Sequence, residues 1–454
     1  MSTTGTGKEV GATLALVRAV RAARFDGMPE DAREVARHCL LDFLGVAVAG
    51  SREPLAEILA DEIAVNEGSS EAGLIGRKQR ASRLSAALVN GAAGHALDFD
   101  DTHWAMGGHP SAPVIPAILA LAESDGLSGR AVLEGLVAGI EFECRLGAMM
   151  GPGHYALGFH STGTFGTFGA AAACAHMMRL TEDGWLRALG LAGTQAAGLK
   201  SGFGTMAKPL HAGRAASNGL LSALAARRGF TANTAIVETE QGFALTHAGA
   251  TPSAEALDRY AGRWLIRETL FKYHASCYLT HAPIQAAEHI RAEHRIDPKA
   301  IDAVEVRVAP SLFGVCNIQA PRTGLEAKFS LRATTAMALL GTDTSDLATF
   351  SDAGAADPAL VALRDRVRVV AVEKTVPTCA TVIVESGGRR FQAQADSGQP
   401  SADLAAQRES LTRKFMALVT PVLGRARAQE LADAALRAED VSAASDLIRL
   451  TQAA

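Results

Sequence analysis

Residues 95–104 read His-Ala-Leu-Asp-Phe-Asp-Asp-Thr-His-Trp. Three aspartates (Asp98, Asp100, Asp101), two histidines and Thr102 sit among Leu97, Phe99 and Trp104. A solvated charge run has no need of Phe99, and a packed core has no room for three carboxylates. The stretch reads as the wall of a cavity in which apolar groups exclude water and hold the acids and imidazoles in place. On a helix, Asp98 and Thr102 (i, i+4) share a face, as do Asp98 and Asp101 (i, i+3). His109 follows a Gly-Gly bend and precedes Pro110, so it is expected on a loop. The bland alternative is a helix C-terminus whose carboxylates cap neighbouring backbone. Asp98, Asp100, His103 and His109 could also serve a divalent metal. They lack the fixed spacing of a known metal motif, and no metal is expected.

Three further segments carry acid, base or cation candidates. In residues 153–166, His160 precedes Ser161 and Thr162 and a run with Gly163, Gly166 and Gly169 three apart. Ser161 and Thr162 read as N-caps, and the glycines as a small face that lets a neighbouring helix approach closely. The run is neither GxGxxG nor preceded by a strand, so a dinucleotide loop is not expected. In residues 203–219, Pro209 suits the first turn of a helix. That places Lys208 at its start and His211 and Arg214 three apart on one side, a plausible clamp for a carboxylate. Residues 271–281 bring together Lys272, His274, Cys277, Tyr278 and His281. Cys277 has no nucleophile signature around it and reads as a packing thiol.

The elements that must position these groups divide in two. From about residue 10 to 265 the chain is rich in Ala and Leu, with apolar residues recurring at three and four, as in Ala32–Gly50. After about 270 the texture changes. Residues 303–310 alternate with period two, 381–395 read as a hairpin around Ser-Gly-Gly, and 330–341 read as a helix between them. Helical periodicity returns after about 401. The expected fold is mainly α: a helical domain over 1–269, a smaller α+β lid domain over 270–398, and C-terminal helices over 399–454 that rejoin the first domain.

Composition narrows the function. The 454 residues are 48% hydrophobic and 20% charged, with 44 Lys plus Arg against 48 Asp plus Glu and a net charge of −4. No basic stripe favours nucleic acid, and an anionic ligand would need locally gathered cations. Six cysteines are scattered without a CxxC pair, which fits reduced thiols rather than a disulfide framework. No secretory signal or spanning run is legible, so a cytoplasmic protein without a membrane partner is expected.

Four segments together, HALDFDDTH, GFHSTGTFGTFGAAAA, KPLHAGRAASNG and LEAKFSLRATTAMALL, resemble the MmgE/PrpD family. This family includes 2-methylcitrate dehydratase, cis-aconitate decarboxylase and iminodisuccinate epimerase. The likeness runs from about residue 10 to 420 with the motifs in family order. It implies a helical domain with an α+β lid, a site between them, a homodimer, and no metal or organic cofactor. By motif, Asp98, Thr102, His109, His160 and Lys208 match catalytic positions of the family. The Ser-Cys-Tyr-Leu-Thr-His stretch, with Lys272, Cys277, Tyr278 and His281, matches a substrate-binding segment more loosely. His103, His211 and Arg214 complete the binding candidates. Two features depart from the decarboxylase pattern: Ala333 stands where many members carry tyrosine, and SCYLTH replaces SCRYTH. The epimerase branch resembles this chain in both.

The expected activity is cofactor-independent proton chemistry beside a carboxylate of a small di- or tricarboxylate. A lyase of dehydratase or decarboxylase type is the first reading. Epimerisation of an iminodisuccinate-like dicarboxylate and non-catalytic carboxylate binding are the alternatives. A metal hydrolase is a more distant reading.

Overall fold

The computed structural model describes residues 11–66 and 68–452. It divides into two compact units. The larger holds the chain up to Phe271 and again from Ala402; the smaller is Lys272–Ser401. The fold is mainly α, with a small four-stranded sheet in the second unit. Among the described residues no helix is long and apolar enough to cross a membrane.

The larger unit is built around the helix Ser161–Met177, every residue of which is buried. It packs against Gly129–Met150, Ser111–Asp125, Glu182–Gly193 and Ala207–Arg227. Its glycines explain how so many helices reach it. A Cβ on Gly163 would lie 2.4 Å from the Ala197 carbonyl oxygen, one on Gly166 2.4 Å from Pro113 Cγ, and one on Gly169 2.5 Å from Glu143 Oε2. The small face expected from the three-residue spacing is therefore used on several sides at once.

A second close crossing bears directly on chemistry. The helices Arg83–His95 and Ala207–Arg227 meet backbone to backbone: a Cβ on Gly91 would lie 2.8 Å from Gly213 Cα, and one on Gly213 2.2 Å from the Leu88 carbonyl oxygen. The first helix is started by Ser82, whose hydroxyl accepts from the Ser85 amide at 3.3 Å. It ends at His95, and the second begins at Ala207. The crossing thus brings the end of one helix to the start of the other. The C-terminal helix Leu404–Leu423 returns to pack on Glu30–Gly50.

In the smaller unit the strand order is Val367–Ala371, Ile301–Val308, Cys379–Ser386, Arg389–Asp396. The first pair is parallel and the other two are antiparallel. The hairpin turns at Gly387 and Gly388, both at positive φ (56° and 73°), the conformation that two-residue hairpin turns demand. The parallel strand Val367–Ala371 has no counterpart in the sequence expectation. It is a five-residue run with three valines and one exposed arginine, too short to separate from a turn by periodicity. Helices His281–His294 and Leu331–Leu340 pack together, and the first covers the hairpin.

Adding one methyl at the Gly213 crossing forces two backbones apart. Gly213→Ala is expected to lose about 1–3 kcal/mol, read as a lower denaturation midpoint. Gly27→Ala, with nothing within 4 Å of its Cβ, should melt like the unaltered protein.

Candidate active site

The segment after His95 is not the helix that the Asp98–Thr102 spacing suggests. The helix stops at His95, and residues 96–101 form turns and bends. Asp98 itself is in the left-handed region (φ 50°). That conformation costs an L-residue roughly 1–2 kcal/mol and Asp tolerates it better than most. The reversal swings the Asp98 carboxylate to Lys208: Oδ1 lies 2.9 Å from Nζ, with the two side chains 28% and 15% exposed. Lys208 is the second residue of its helix, delivered by the Gly91–Gly213 crossing.

His109 completes the cluster. Its Nε2 lies 3.6 Å from Asp98 Oδ1. Its Nδ1 donates to the Asp101 carbonyl at 2.8 Å and lies 3.2 Å from Asp100 Oδ2. Its backbone amide donates to Thr162 Oγ1 at 3.1 Å. Thr162 therefore secures the His109 loop rather than capping its helix; His160 is the N-cap residue, without a side-chain cap bond.

His95 and Asp100 form the floor. His95 Nδ1 lies 2.9 and 3.0 Å from the two Asp100 oxygens, and both side chains are buried. The His95 ring meets His109 edge-on at 4.5 Å and stacks on His160 at 5.8 Å. His160 Nδ1 lies 3.1 Å from His211 Nδ1, so one ring donates and the other accepts. Phe203 packs edge-on to His160, and the Lys208 ammonium is 5.4 Å from its ring centre.

Burial sorts the charges. It drives the imidazolium form of His160 well below the usual histidine range, with His95 and Lys208 adding to the effect. It lowers His95 to about 4 despite the Asp100 carboxylate. His211 is also lowered, by burial and then Lys208. These three rings are therefore neutral at neutral pH. Asp100 stays ionised: burial opposes it, but His95 and His109 together hold its carboxyl well below the usual range. Asp101 goes the other way, raised to about 7 by burial and by its neighbours Asp42 and Asp100, although the Ser111 hydroxyl donates to it at 2.5 Å.

Other candidates lie apart. His103 uses both ring nitrogens on backbone: Nε2 donates to the Leu265 carbonyl at 2.8 Å, and Nδ1 accepts from the Ala105 amide at 3.1 Å. This ring braces the loop and has no nitrogen left for a ligand. Thr102 pairs with Leu270 through backbone, and its hydroxyl donates to the Gly108 carbonyl at 3.2 Å. Arg214 is exposed and lines an open cavity of about 460 Å³ with His211, Gln195 and Asn218. Trp104 is half exposed, so only Phe99 of the apolar trio is fully enclosed.

Lys272, Cys277, Tyr278 and His281 belong to the smaller unit. There the Cys277 amide donates to the Lys328 carbonyl at 3.0 Å and the Tyr278 hydroxyl to the Ser397 carbonyl. His281 starts its helix with its ring 5.0 Å from both His274 and Tyr278. Cys277 faces the Cys316 thiol; that contact and burial suppress Cys316 ionisation.

Sequence reasoning passed over His95 and used Asp100 only as a metal donor. Their five-residue separation is not a helical face spacing, so a helical reading hides the pair. A non-helical turn after His95 was the signal that could have found it. Lys414, 315 residues from Phe99, was also missed: its ammonium donates to the Phe99 carbonyl at 2.6 Å and to Asp42 at 2.7 Å, and sits over the Phe99 ring.

One donor atom each from His95, Asp98, Asp100 and His109 lies within 4.8 Å of the others, a set that could hold a metal ion. His103, included in the expected set, is replaced by His95. Within this set the Lys208 ammonium already pairs with Asp98, and both Asp100 oxygens face His95. A metal would have to displace those partners.

The MmgE/PrpD N-terminal domain matches residues 15–255 and the MmgE/PrpD C-terminal domain residues 274–439. A cis-aconitate decarboxylase-like protein of Aspergillus oryzae is 32% identical over 310 residues, covering 65% of this chain and 64% of its own length. Cis-aconitate decarboxylase of Aspergillus terreus is 31% identical over 283 residues, 59% and 58% of the two chains. The mouse cis-aconitate decarboxylase aligns over 91% of this chain and 88% of its own length at 26% identity. The alignments thus span under two thirds of the length of the two fungal relatives.

A carboxyl with a raised folded value binds more protons folded than unfolded, so its contribution to stability falls as pH rises between the two values. For Asp101 the window runs from about 4 to about 7. The Asp101→Asn variant is therefore expected to gain thermal stability relative to the parent as pH rises from 5 to 8. Parallel melting curves across that range check it.

Proposed function

Because the chain belongs to the MmgE/PrpD family, we propose that it is a cofactor-independent lyase. It acts by proton transfer beside a carboxylate of a small di- or tricarboxylate. One observation carries the reading: a lysine ammonium and an imidazole nitrogen converge on the same Asp98 oxygen, at 2.9 and 3.6 Å. A carbanion formed next to a carboxylate needs a base within reach and a cation to take up its charge. His109 Nε2 carries the proton, taking it as base in dehydration or returning it after decarboxylation, and Lys208, paired with Asp98, supplies the cation. His160, neutral because it is buried, contributes a hydrogen bond rather than a charge. His211, beside His160, is proposed as a substrate contact; Thr102 and Arg214, and in the smaller unit Lys272, Cys277, Tyr278 and His281, are proposed as contacts on the strength of the family motifs alone. The relatives named for cis-aconitate decarboxylation support decarboxylation among the lyase chemistries.

A second reading, epimerisation of an iminodisuccinate-like dicarboxylate, is favoured by one residue. Ala333, where decarboxylases of the family resemble one another in carrying tyrosine, is a fully buried methyl whose amide donates to Ser330 Oγ. It offers no hydroxyl to protonate a product.

Incubation in deuterium oxide with cis-aconitate, 2-methylcitrate and iminodisuccinate, followed by product analysis, separates the readings. A decarboxylase releases carbon dioxide and leaves deuterium in the product, whereas a dehydratase releases water and leaves an alkene that takes up none in the forward step. An epimerase exchanges deuterium and returns the same skeleton. A protein that binds one of these acids without exchange and without product would sink the proposal. On the acid turned over, His109→Ala should lower kcat by about 10²- to 10⁴-fold with the fold intact. Lys208→Ala should lower kcat as well as raise KM if its charge acts in the transition state. Dialysis against EDTA should leave the rate unchanged.

The protein is proposed to work as a homodimer in the cytoplasm, without nucleic-acid or membrane partners. Light scattering at micromolar concentration should give twice the 47.2 kDa chain mass; a monomer would refute the assembly.

A further inference from the structure

His109 and Lys208 account for the base and the cation, and leave unexplained why a second aspartate is buried beneath them. Asp100 is 0% exposed, and enclosing a carboxylate is costly unless it is paired. Capping does not account for it, because no described backbone amide donates to its side chain. Its partners are two imidazoles: His95 Nδ1 at 2.9 and 3.0 Å, and His109 Nδ1 at 3.2 Å.

The protons of both rings follow from those contacts. An ionised carboxylate and a backbone carbonyl only accept hydrogen bonds. His109 Nδ1 faces both, Asp100 Oδ2 at 3.2 Å and the Asp101 carbonyl at 2.8 Å, so its proton sits on Nδ1. The lone pair of the neutral ring is then on Nε2, the atom turned toward Asp98. His95 likewise presents Nδ1–H to Asp100. Burial keeps the His95 ring neutral, so it fixes the carboxylate in place without cancelling its charge. That charge remains beside His109, where an imidazolium forms when Nε2 takes a proton. The other charged groups facing the cluster are Asp98 and Lys208, already paired with each other, and Asp101, tied to Ser111.

We propose that Asp100, held by His95, is a positioning residue that acts with the Asp101 carbonyl to keep His109 in the Nδ1–H tautomer, presenting its Nε2 lone pair to substrate, and that stabilises the imidazolium formed there. The inference rests on the reading of His109 as the proton-transfer group.

An asparagine at position 100 tests it, because its amide has one accepting oxygen where the carboxylate had two. If His95 keeps that oxygen, the amide NH2 turns to His109 Nδ1 and opposes the native tautomer. In the ¹⁵N-histidine-labelled full chain without substrate, with the His109 resonances assigned by their loss in His109→Ala, the parent should show protonated Nδ1 and unprotonated Nε2. Asp100→Asn should lose that signature. On the acid turned over, its kcat should fall about 10²- to 10⁴-fold while KM stays within a few-fold. His95→Asn, whose side-chain amide stands where Nδ1 stood and can still donate to Asp100, should keep the Nδ1–H tautomer of His109. It also decides the case if Asp100→Asn fails to fold.

A parent with protonated Nε2, a folded Asp100→Asn with unchanged His109 signals and parental kcat, or a folded His95→Asn that loses the native tautomer would each overturn the proposal. The tautomer measurement needs no substrate. Failure to find any turnover would therefore count against the lyase reading while leaving this one decided by the resonances.

Discussion

The site depends on a place where two helices have no side chains between them. Gly91 and Gly213 let Arg83–His95 and Ala207–Arg227 touch through their backbones. Each helix then contributes its end rather than its face: one stops at His95 and releases the strained Asp98 turn, and the other starts with Lys208 in its first turn. A larger residue at either glycine would push the helix ends apart and strain the 2.9 Å ion pair between them. Core packing and catalytic geometry are set by the same contact.

Around that crossing, three aspartates within four positions have three different fates. Asp98 is partly exposed and paired with an ammonium. Asp100 is enclosed but held ionised by two imidazoles. Asp101 is enclosed among other acids, and its ionisation is displaced upward to about 7. The residue type is constant and the environment differs, which is how neighbouring carboxyls acquire different roles. The turn after His95 makes this possible, because a helix would have spread the three around a cylinder.

The C-terminal part of the chain has a share in the site without touching the reacting groups. Lys414, on Leu404–Leu423, places a buried ammonium over the Phe99 ring and donates to the Phe99 carbonyl and to Asp42. It thereby ties the middle of the Asp98–Asp101 turn to the opposite wall of the helical unit. The return of the chain from the smaller unit thus does more than complete a core.

Local periodicity and composition determined a good deal. The helical character of residues 11–265, the glycine face of residues 163–169 and the β character of 303–308 and 381–395 are properties of neighbouring residues, and they are legible because side-chain spacing reports directly on which face is buried. The motifs in order also marked Asp98, His109, His160 and Lys208, which the fold brings together. The tertiary structure decided the rest. It ended the helix at His95, overriding the i, i+4 reading of Asp98 and Thr102, and turned His103 away to brace a loop. It also paired His95 with Asp100 and brought Lys414 to Phe99. The physical reason is the same in each case. Hydrogen bonds and desolvation depend on partners distant in sequence, so the chain order shows which residues can ionise or donate, and only the folded surroundings fix which of them do.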